Sequence, residues 1–208
     1  MTSRDRFFNI LHYRKTDRLP VLDFGYWPQL FDQWREQGHI SESLYDGLRI
    51  EYSSRAKQEL AHLLGSDFEY GDRVRADMAV SPPFEYEELD VAADGLITYV
   101  SHYGTINRKK EGAMGNHAVR SLLTDRKSYD ELFKPRVRYF DGRVDLEFFG
   151  NWSKDDYNYP IGIHAGSLLG DIRLFLTLEG LSYLIADDFD LLVEIVDTYA
   201  DMQYRCLE

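Results

Sequence analysis

"IGIHAGSLLGDIRLFLTLEG", residues 161–180, carries a complete strand-to-helix transition. Residues 161–165 have the length of a short buried strand, Gly166-Ser167 makes a tight turn, and residues 168–178 place apolar side chains at helical spacing until Gly180 stops them. The same grammar occurs near the other end. In "DRLPVLDFGYWPQLFDQW", residues 17–34, the run 21–25 has the size of a strand, and Pro28 suits the first turn of a helix that Gly38 closes. Between them, a helix from about Ser53 ends at the glycine cap Gly65, and "RVRADMAV", residues 73–80, is a further candidate strand. Strands separated by helices rather than hairpins imply parallel β/α units, which either form an open sheet or close into a barrel.

From Phe84 the period changes. "FEYEELDV", "LITYVSHYG" and "TINRKKEG" alternate as antiparallel ribbon, with Ala93-Asp94-Gly95 as hairpin turn, so residues 84–110 read as an insertion within one domain spanning 1–208. At the N-terminus, Thr2 and Asp5 form a capping box for a helix to about Tyr13, whose apolar face is Phe7, Phe8, Ile10 and Leu11, an amphipathic lid. Thr124-Asp125 caps a short helix holding Leu132 and Phe133, and a polar, aromatic loop leads to the stretch quoted first. The last helix starts at an Asp190 N-cap and buries Leu191, Leu192, Ile195, Val196 and Tyr199.

With 208 residues, 44% of them hydrophobic, the chain can bury a sizeable core. Its net charge of -12 opposes binding to nucleic acid or anionic lipid, and no apolar run is long enough to span a bilayer. A charged N-terminus, "MTSRDRFF", does not read as a signal peptide, so the expected location is the cytoplasm. The single cysteine, Cys206, excludes an internal disulfide and any multi-cysteine metal site, which leaves His and carboxylate ligands for a metal held within this chain.

Four segments in order, "TSRDRFFNILHYRKTDRLPV", "FGYW" with Trp34 beyond it, "PPFE" at 82–85, and "GSLLGDIR" with "EGLSYL" at 179–184, resemble the uroporphyrinogen decarboxylase superfamily. The resemblance implies an α/β fold, the (β/α)₈ barrel. Such barrels usually need about 250 residues, and only about three β/α units can be placed, at Val21, Arg73 and Ile161. The expectation is therefore the N-terminal portion of a barrel, with its remaining strands encoded after Glu208.

Barrel enzymes work at the C-terminal ends of their strands. For the first strand that places Asp23, Phe24, Tyr26 and Trp27 at the mouth, with core packing as the alternative for the aromatics. Family decarboxylases carry an arginine pair there to grip substrate carboxylates; "DFGYWPQ" has none before Arg35, and a carboxylate taken out of water unpaired is costly. The family's aspartate that bonds pyrrole N–H groups has Asp77 as its nearest candidate, with a solvated or capping role as the alternative. At the glycine turn, Gly166 allows close backbone approach, Ser167 can cap the helix, and the free N–H groups favour an anion. The tyrosine that decarboxylases show shortly after is replaced by Leu174 or Phe175. His164 is a candidate acid/base group or a structural histidine, and Arg173 meets either a substrate carboxylate or its neighbours Asp171 and Glu179. Tyr26, Trp27, His164 and Ser167 are expected to share one mouth. The pairs Glu87-Glu88 and Asp187-Asp188 carry no catalytic role on this pattern, and "RKK" at 108–110 reads as edge charge on a hairpin.

The superfamily also holds methyltransferases that take a methyl group from a corrinoid protein, with zinc holding the acceptor as thiolate. Their His and two Cys ligands lie in the later half of the barrel. The missing arginine pair and the acidic balance weigh toward methyl transfer to or from a small-molecule substrate, with a corrinoid and zinc as implied cofactors. Decarboxylation of uroporphyrinogen to coproporphyrinogen is the alternative. A second is a non-catalytic fragment or binding module, whose open edges pair with another chain, such as a second copy in a homodimer.

Overall fold

The structure is a computed structural model and describes residues 1–51, 53–69, 73–110, 115–151 and 158–208. In chain order its elements are α1 (Ser3–Leu11), β1 (Leu22–Asp23), α2 (Pro28–Glu36), α3 (Glu42–Arg49), α4 (Ser54–Leu63), β2 (Phe68–Glu69), β3 (Arg73–Arg75), β4 (Glu87–Val91), β5 (Leu96–Val100), β6 (Thr105–Lys110) and β7 (His117–Ser121). There follow α5 (Arg126–Ser128), a π-turn (Tyr129–Phe133), α6 (Lys134–Val137), α7 (Leu146–Asn151), β8 (Gly162–His164), α8 (Leu168–Asp187) and α9 (Phe189–Leu207). The protein is thus mixed α/β. Its strands form three sheets, β1-β2, β3-β8 and β4-β5-β6-β7, and among the described residues none closes on itself. Two compact units divide the chain: Met1–Val74 with Glu147–His164, and Arg75–Leu146 with Ala165–Glu208.

In the first unit β1 and β2 are parallel, with Leu22 opposite Phe68 and Asp23 opposite Glu69, and α2 to α4 make the crossover. Pro28 opens α2, while Ser41 and Ser53 cap α3 and α4 by accepting the N–H groups of Leu44 and Ala56. The helices bury Phe31, Leu44, Leu48 and Leu60 together. The expected strand 21–25 shrinks to two residues, because Pro20 offers no N–H before it and Gly25 turns the chain at φ +88° after it. Its parallel partner is Phe68–Glu69, which the sequence pattern did not single out; the expected strand 73–80 is reduced to Arg73–Arg75. That remnant pairs with β8, so the segments at 21–25 and 161–165, expected as parallel strands of one sheet, lie in different sheets.

The capping box of α1 is present, and of its expected apolar face Phe7 packs on Phe68 with ring centroids 5.7 Å apart. Arg6 is the buried residue of the helix, whereas Phe8, Ile10 and Leu11 are exposed. An ion network explains the inversion. Arg6 donates to both carboxylate oxygens of Asp17 at 2.8 Å and, through Nη1, to the buried Asp67 at 2.5 Å. Arg18 reaches Asp67 with both terminal nitrogens at 2.5 and 2.8 Å, and the Val21 N–H adds a bond of 2.7 Å. Burial alone would raise the Asp67 carboxyl, but the Arg18 hydrogen bonds, the Val21 N–H and the two guanidinium charges outweigh it and hold it below the usual carboxylate range.

In the second unit the ribbon expected over 84–110 continues through β7 to Ser121 and forms a four-stranded antiparallel meander. The "RKK" run lies on β6, an interior strand rather than an edge, and Lys109 sits over the rings of Tyr86 and Tyr99. The tail of "TINRKKEG", residues 111–112, and residues 152–157 of the polar loop lie outside the described residues. Asp125 caps α5 as expected, and the π-turn falls just before Pro135, which has no N–H to continue the ladder.

Helix α8 does not stop at Gly180. It runs to Asp187 across a break at Thr177, whose backbone adopts φ +68° and ψ 164°. The Thr177 hydroxyl accepts the Gly180 N–H at 3.1 Å, so Thr177 caps a new helical start and Gly180 becomes part of its first turn. The N-cap of α9 is Asp188 rather than Asp190. Ile172, Phe175 and Leu176 from α8, Leu191, Ile195, Tyr199 and Met202 from α9, and Tyr129 and Phe133 from the π-turn form the core.

Residues 76–80 show why the expected strand ended early. Ala76, Met78 and Val80 are buried and Asp77 and Ala79 exposed, a strand-like alternation, but a side chain takes the place of a neighbouring strand. Arg143, buried, donates from Nη1 to the carbonyls of Asp77 (2.5 Å) and Ala79 (3.0 Å), from Nη2 to that of Arg136 (2.5 Å) and from Nε to that of Arg138 (3.0 Å).

Candidate functional site

The residues expected to work together divide between the units. Asp23, Tyr26, Trp27 and His164 belong to the first; Asp77, Gly166, Ser167 and Arg173 belong to the second.

In the first unit, partners in a parallel pair project to the same face, so the register of Asp23 with Glu69 sets two carboxylates side by side at the C-terminal ends of β1 and β2. Asp23 accepts the Gly25 N–H at 3.2 Å through Oδ1, while its Oδ2 is buried with no hydrogen-bond partner among the described residues. A Cβ on Gly25 would come within 3.2 Å of Glu69 Oε1, and the positive φ there disfavours any other residue. Gln58 fixes the backbone of Glu69 from both sides, at 3.3 and 3.5 Å. Carboxylates at this end of a parallel pair stand where barrel enzymes carry their working groups. Glu69 was missed from sequence; an acid between Phe68 and Tyr70 just past the Gly65 helix stop was the available signal.

The two adjacent aromatics part company. Tyr26 packs on Trp34 with ring centroids 5.3 Å apart and joins the α2–α4 core, and burial, followed by the Asp23 charge, raises its phenol. Trp27 is 62% exposed. His164 ends β8, half-buried.

In the second unit Asp77 is exposed and its Oδ1 accepts from the Ala79 N–H at 3.4 Å, a local turn contact. Ser167 caps α8 as expected, accepting the Gly170 N–H at 2.9 Å. The anion at this helix start is the chain's own: Asp171 Oδ2 accepts the Ser167 N–H at 2.8 Å and the Tyr199 hydroxyl at 3.2 Å. The single proton of that hydroxyl is shared with the Met78 carbonyl at 2.6 Å, the shorter of the two contacts. The space facing Gly166 (φ +75°) is filled by Gln203, whose amide a Cβ there would strike. Arg173 is exposed on α8 and makes no ion pair with Asp171 or Glu179 among the described residues.

No group of three or more His, Cys, Asp or Glu side chains among the described residues is placed to hold a metal ion. Cys206 is buried beside Met202, and burial pushes its thiol up, away from the thiolate a metal needs. No helix among the described residues is long and apolar enough to cross a membrane.

Fold and site together define a mixed α/β protein with a carboxylate pair at the ends of two parallel strands. Comparison with protein-family models, with curated proteins and with solved structures yields no match.

Proposed function

We propose that the chain is the N-terminal portion of a uroporphyrinogen decarboxylase-superfamily barrel, on the methyl-transfer side of that superfamily. The observation that carries the reading is the ion network of the first unit. Arg6, Asp17 and Arg18, which stand in the segment "TSRDRFFNILHYRKTDRLPV", are the residues that tie α1 to the start of β1 through Asp67. The exposed apolar side chains of Val21, Leu22 and Phe24 add support, since a barrel strand covers such groups with its neighbours.

Zinc finds no ligand set among the described residues of this chain. A corrinoid would supply the methyl–cobalt bond. The part of this chain is to present Asp23 at the end of β1, where its Oδ2 orients a hydrogen-bond donor or cationic part of the acceptor. Decarboxylation ranks second, because no arginine lies between Asp23 and Trp34 to offset substrate carboxylates.

The test is to express the chain together with whatever its gene encodes after Glu208, supply zinc, a thiol and methylcobalamin, and follow the methylcobalamin absorbance. Demethylation without conversion of uroporphyrinogen to coproporphyrinogen supports the reading. Decarboxylation, or neither reaction, overturns it.

A further inference from the structure

Within the second unit, one face of the β4–β7 meander and the helix α8 enclose a cleft of about 1100 Å³ that the proposed function does not use. Its volume suits a drug-sized molecule, and its walls combine β5, β6, β7 and α8 with the turn at Ser101–Tyr103. Tyr99 and Asn107 are cross-strand partners on β5 and β6, and Ser101 and Thr105 continue the same face. The two hydroxyls of Ser101 and Thr105 satisfy each other at 2.7 Å.

Asn107 is different. It is only 6% exposed, one end of its amide meets Asn116 at 3.3 Å, and the other end is buried with no partner among the described residues. A buried polar atom left unpaired destabilises the fold, so its retention on the wall of a cleft points to a group that arrives from outside. The two amides can be turned together, which makes the open position an acceptor in one orientation and a donor in the other. A hydroxyl serves either.

The remaining lining narrows the class. Tyr86 and Tyr99 pack with ring centroids 5.1 Å apart and planes tilted by 35°; Tyr99 is buried beneath Lys109, and Tyr86 is the ring exposed at the cleft. At the helix side Arg173 brings a cation and Glu179 an anion, the latter accepting the Tyr183 hydroxyl at 2.8 Å. A ligand of a single charge would be repelled by one of them; a neutral polyol uses both as charge-assisted partners. Thr177, held in a backbone region that residues other than glycine avoid, sits on the same wall, and such strain collects at binding sites.

We propose that this cleft binds a short uncharged oligosaccharide, with a sugar ring beside the exposed Tyr86 and a hydroxyl on Asn107. The site stands whether or not the chain belongs to a methyltransferase.

The experiment is a ¹H–¹⁵N NMR titration of the 208-residue chain with maltose, cellobiose and lactose, and with benzoate as a planar anion. The expected result is a shift of the Asn107 and Asn116 side-chain amides with at least one disaccharide and none with benzoate. Asn107→Leu weakens that binding about tenfold while raising the melting temperature, because it removes the unpaired group. Arg173→Gln, on the exposed rim, weakens it about fivefold with the fold unchanged. The proposal is overturned by a response to benzoate alone, by no response to any of the three sugars, or by undiminished binding in Asn107→Leu. A fall in melting temperature for Asn107→Leu also overturns it, since the amide would then be a purely structural one.

Discussion

Each unit is organised around a buried ion, and the two ions are satisfied in opposite ways. Asp67 in the first unit is held by charged partners, Arg6 and Arg18, drawn from the first eighteen residues of the chain. Arg143 in the second is held by four backbone carbonyls, and burial lowers its guanidinium from the ordinary value, although arginine stays charged throughout any working range. The first unit has a modest apolar core on α2 to α4, whereas the second packs two long helices, the π-turn and the strand-like segment at 76–80 into one cluster. The contrast teaches that a buried charge can serve as a clamp between distant segments or as a substitute for missing secondary structure. Only the first kind responds to pH.

The largest effect should come from Arg143→Met, which keeps the apolar stem and removes every donor to the four carbonyls. At about 1 kcal/mol for each unpaired acceptor the loss is about 4 kcal/mol, read by urea unfolding of the near-ultraviolet signal of buried Tyr129 and Tyr199. Arg143→Lys should recover only part of it, because an ammonium cannot span the same fork. A loss below about 1 kcal/mol would show that packing alone shapes that segment.

Next comes Asp67→Asn, expected to cost about 3 kcal/mol by leaving Arg6 buried without its inner partner. Trp27 and Trp34 lie in the first unit and no tryptophan occurs in the sequence of the second, so tryptophan emission should follow this loss. If the emission transition stays in place, the network contributes nothing net.

A smaller change is set by pH. Hydrogen bonds from Arg6 hold the Asp17 carboxyl well below the usual carboxylate range, and Asp67 is also held low. A depressed folded value means stabilisation that is complete above the unfolded carboxylate pKa of about 3.9 and lost as pH falls through the folded value. Tryptophan emission should therefore shift on acidification below about pH 4, before the buried-tyrosine signal does. Asp67→Asn should flatten that dependence.

The smallest effect, and the one of opposite sign, is Thr177→Gly. Relief of the backbone strain, worth about 1–3 kcal/mol, exceeds the few tenths lost when glycine replaces a threonine cap, so the variant should melt higher than the parent by scanning calorimetry. A lower melting temperature would mean that the Thr177 hydroxyl matters more than its backbone.

Local signals carried much of this fold. The Thr2 capping box, Pro28 at a helix start, Ser167 as a cap and Ala93-Asp94-Gly95 as a turn are interactions within four residues, and the sequence pattern holds all of them. What it did not hold was pairing at a distance. Phe68–Glu69 was invisible because two residues give no period, and Arg6 was hidden because a helix with Phe7, Phe8, Ile10 and Leu11 looks apolar until Asp17 and Asp67 are brought beside it. Thr177 escaped notice because the apolar spacing runs unbroken through it, and Gly180 offered a more obvious stop. The candidate site was legible at Asp23 and Ser167; Glu69, Asp171 and Gln203 needed the register and the turn of the chain to place them.

The guanidinium standing in for a strand has one more consequence. A strand paired with another strand can slip by two residues and find equivalent partners, since every second carbonyl looks alike. A single side chain with a fixed fork has one pair of carbonyls it can reach at once, and for Arg143 Nη1 these are Asp77 and Ala79. Residues 76–80 are thereby locked in one alignment, and Met78 and Val80 keep facing the core because the slipped state has no hydrogen bonds waiting for it.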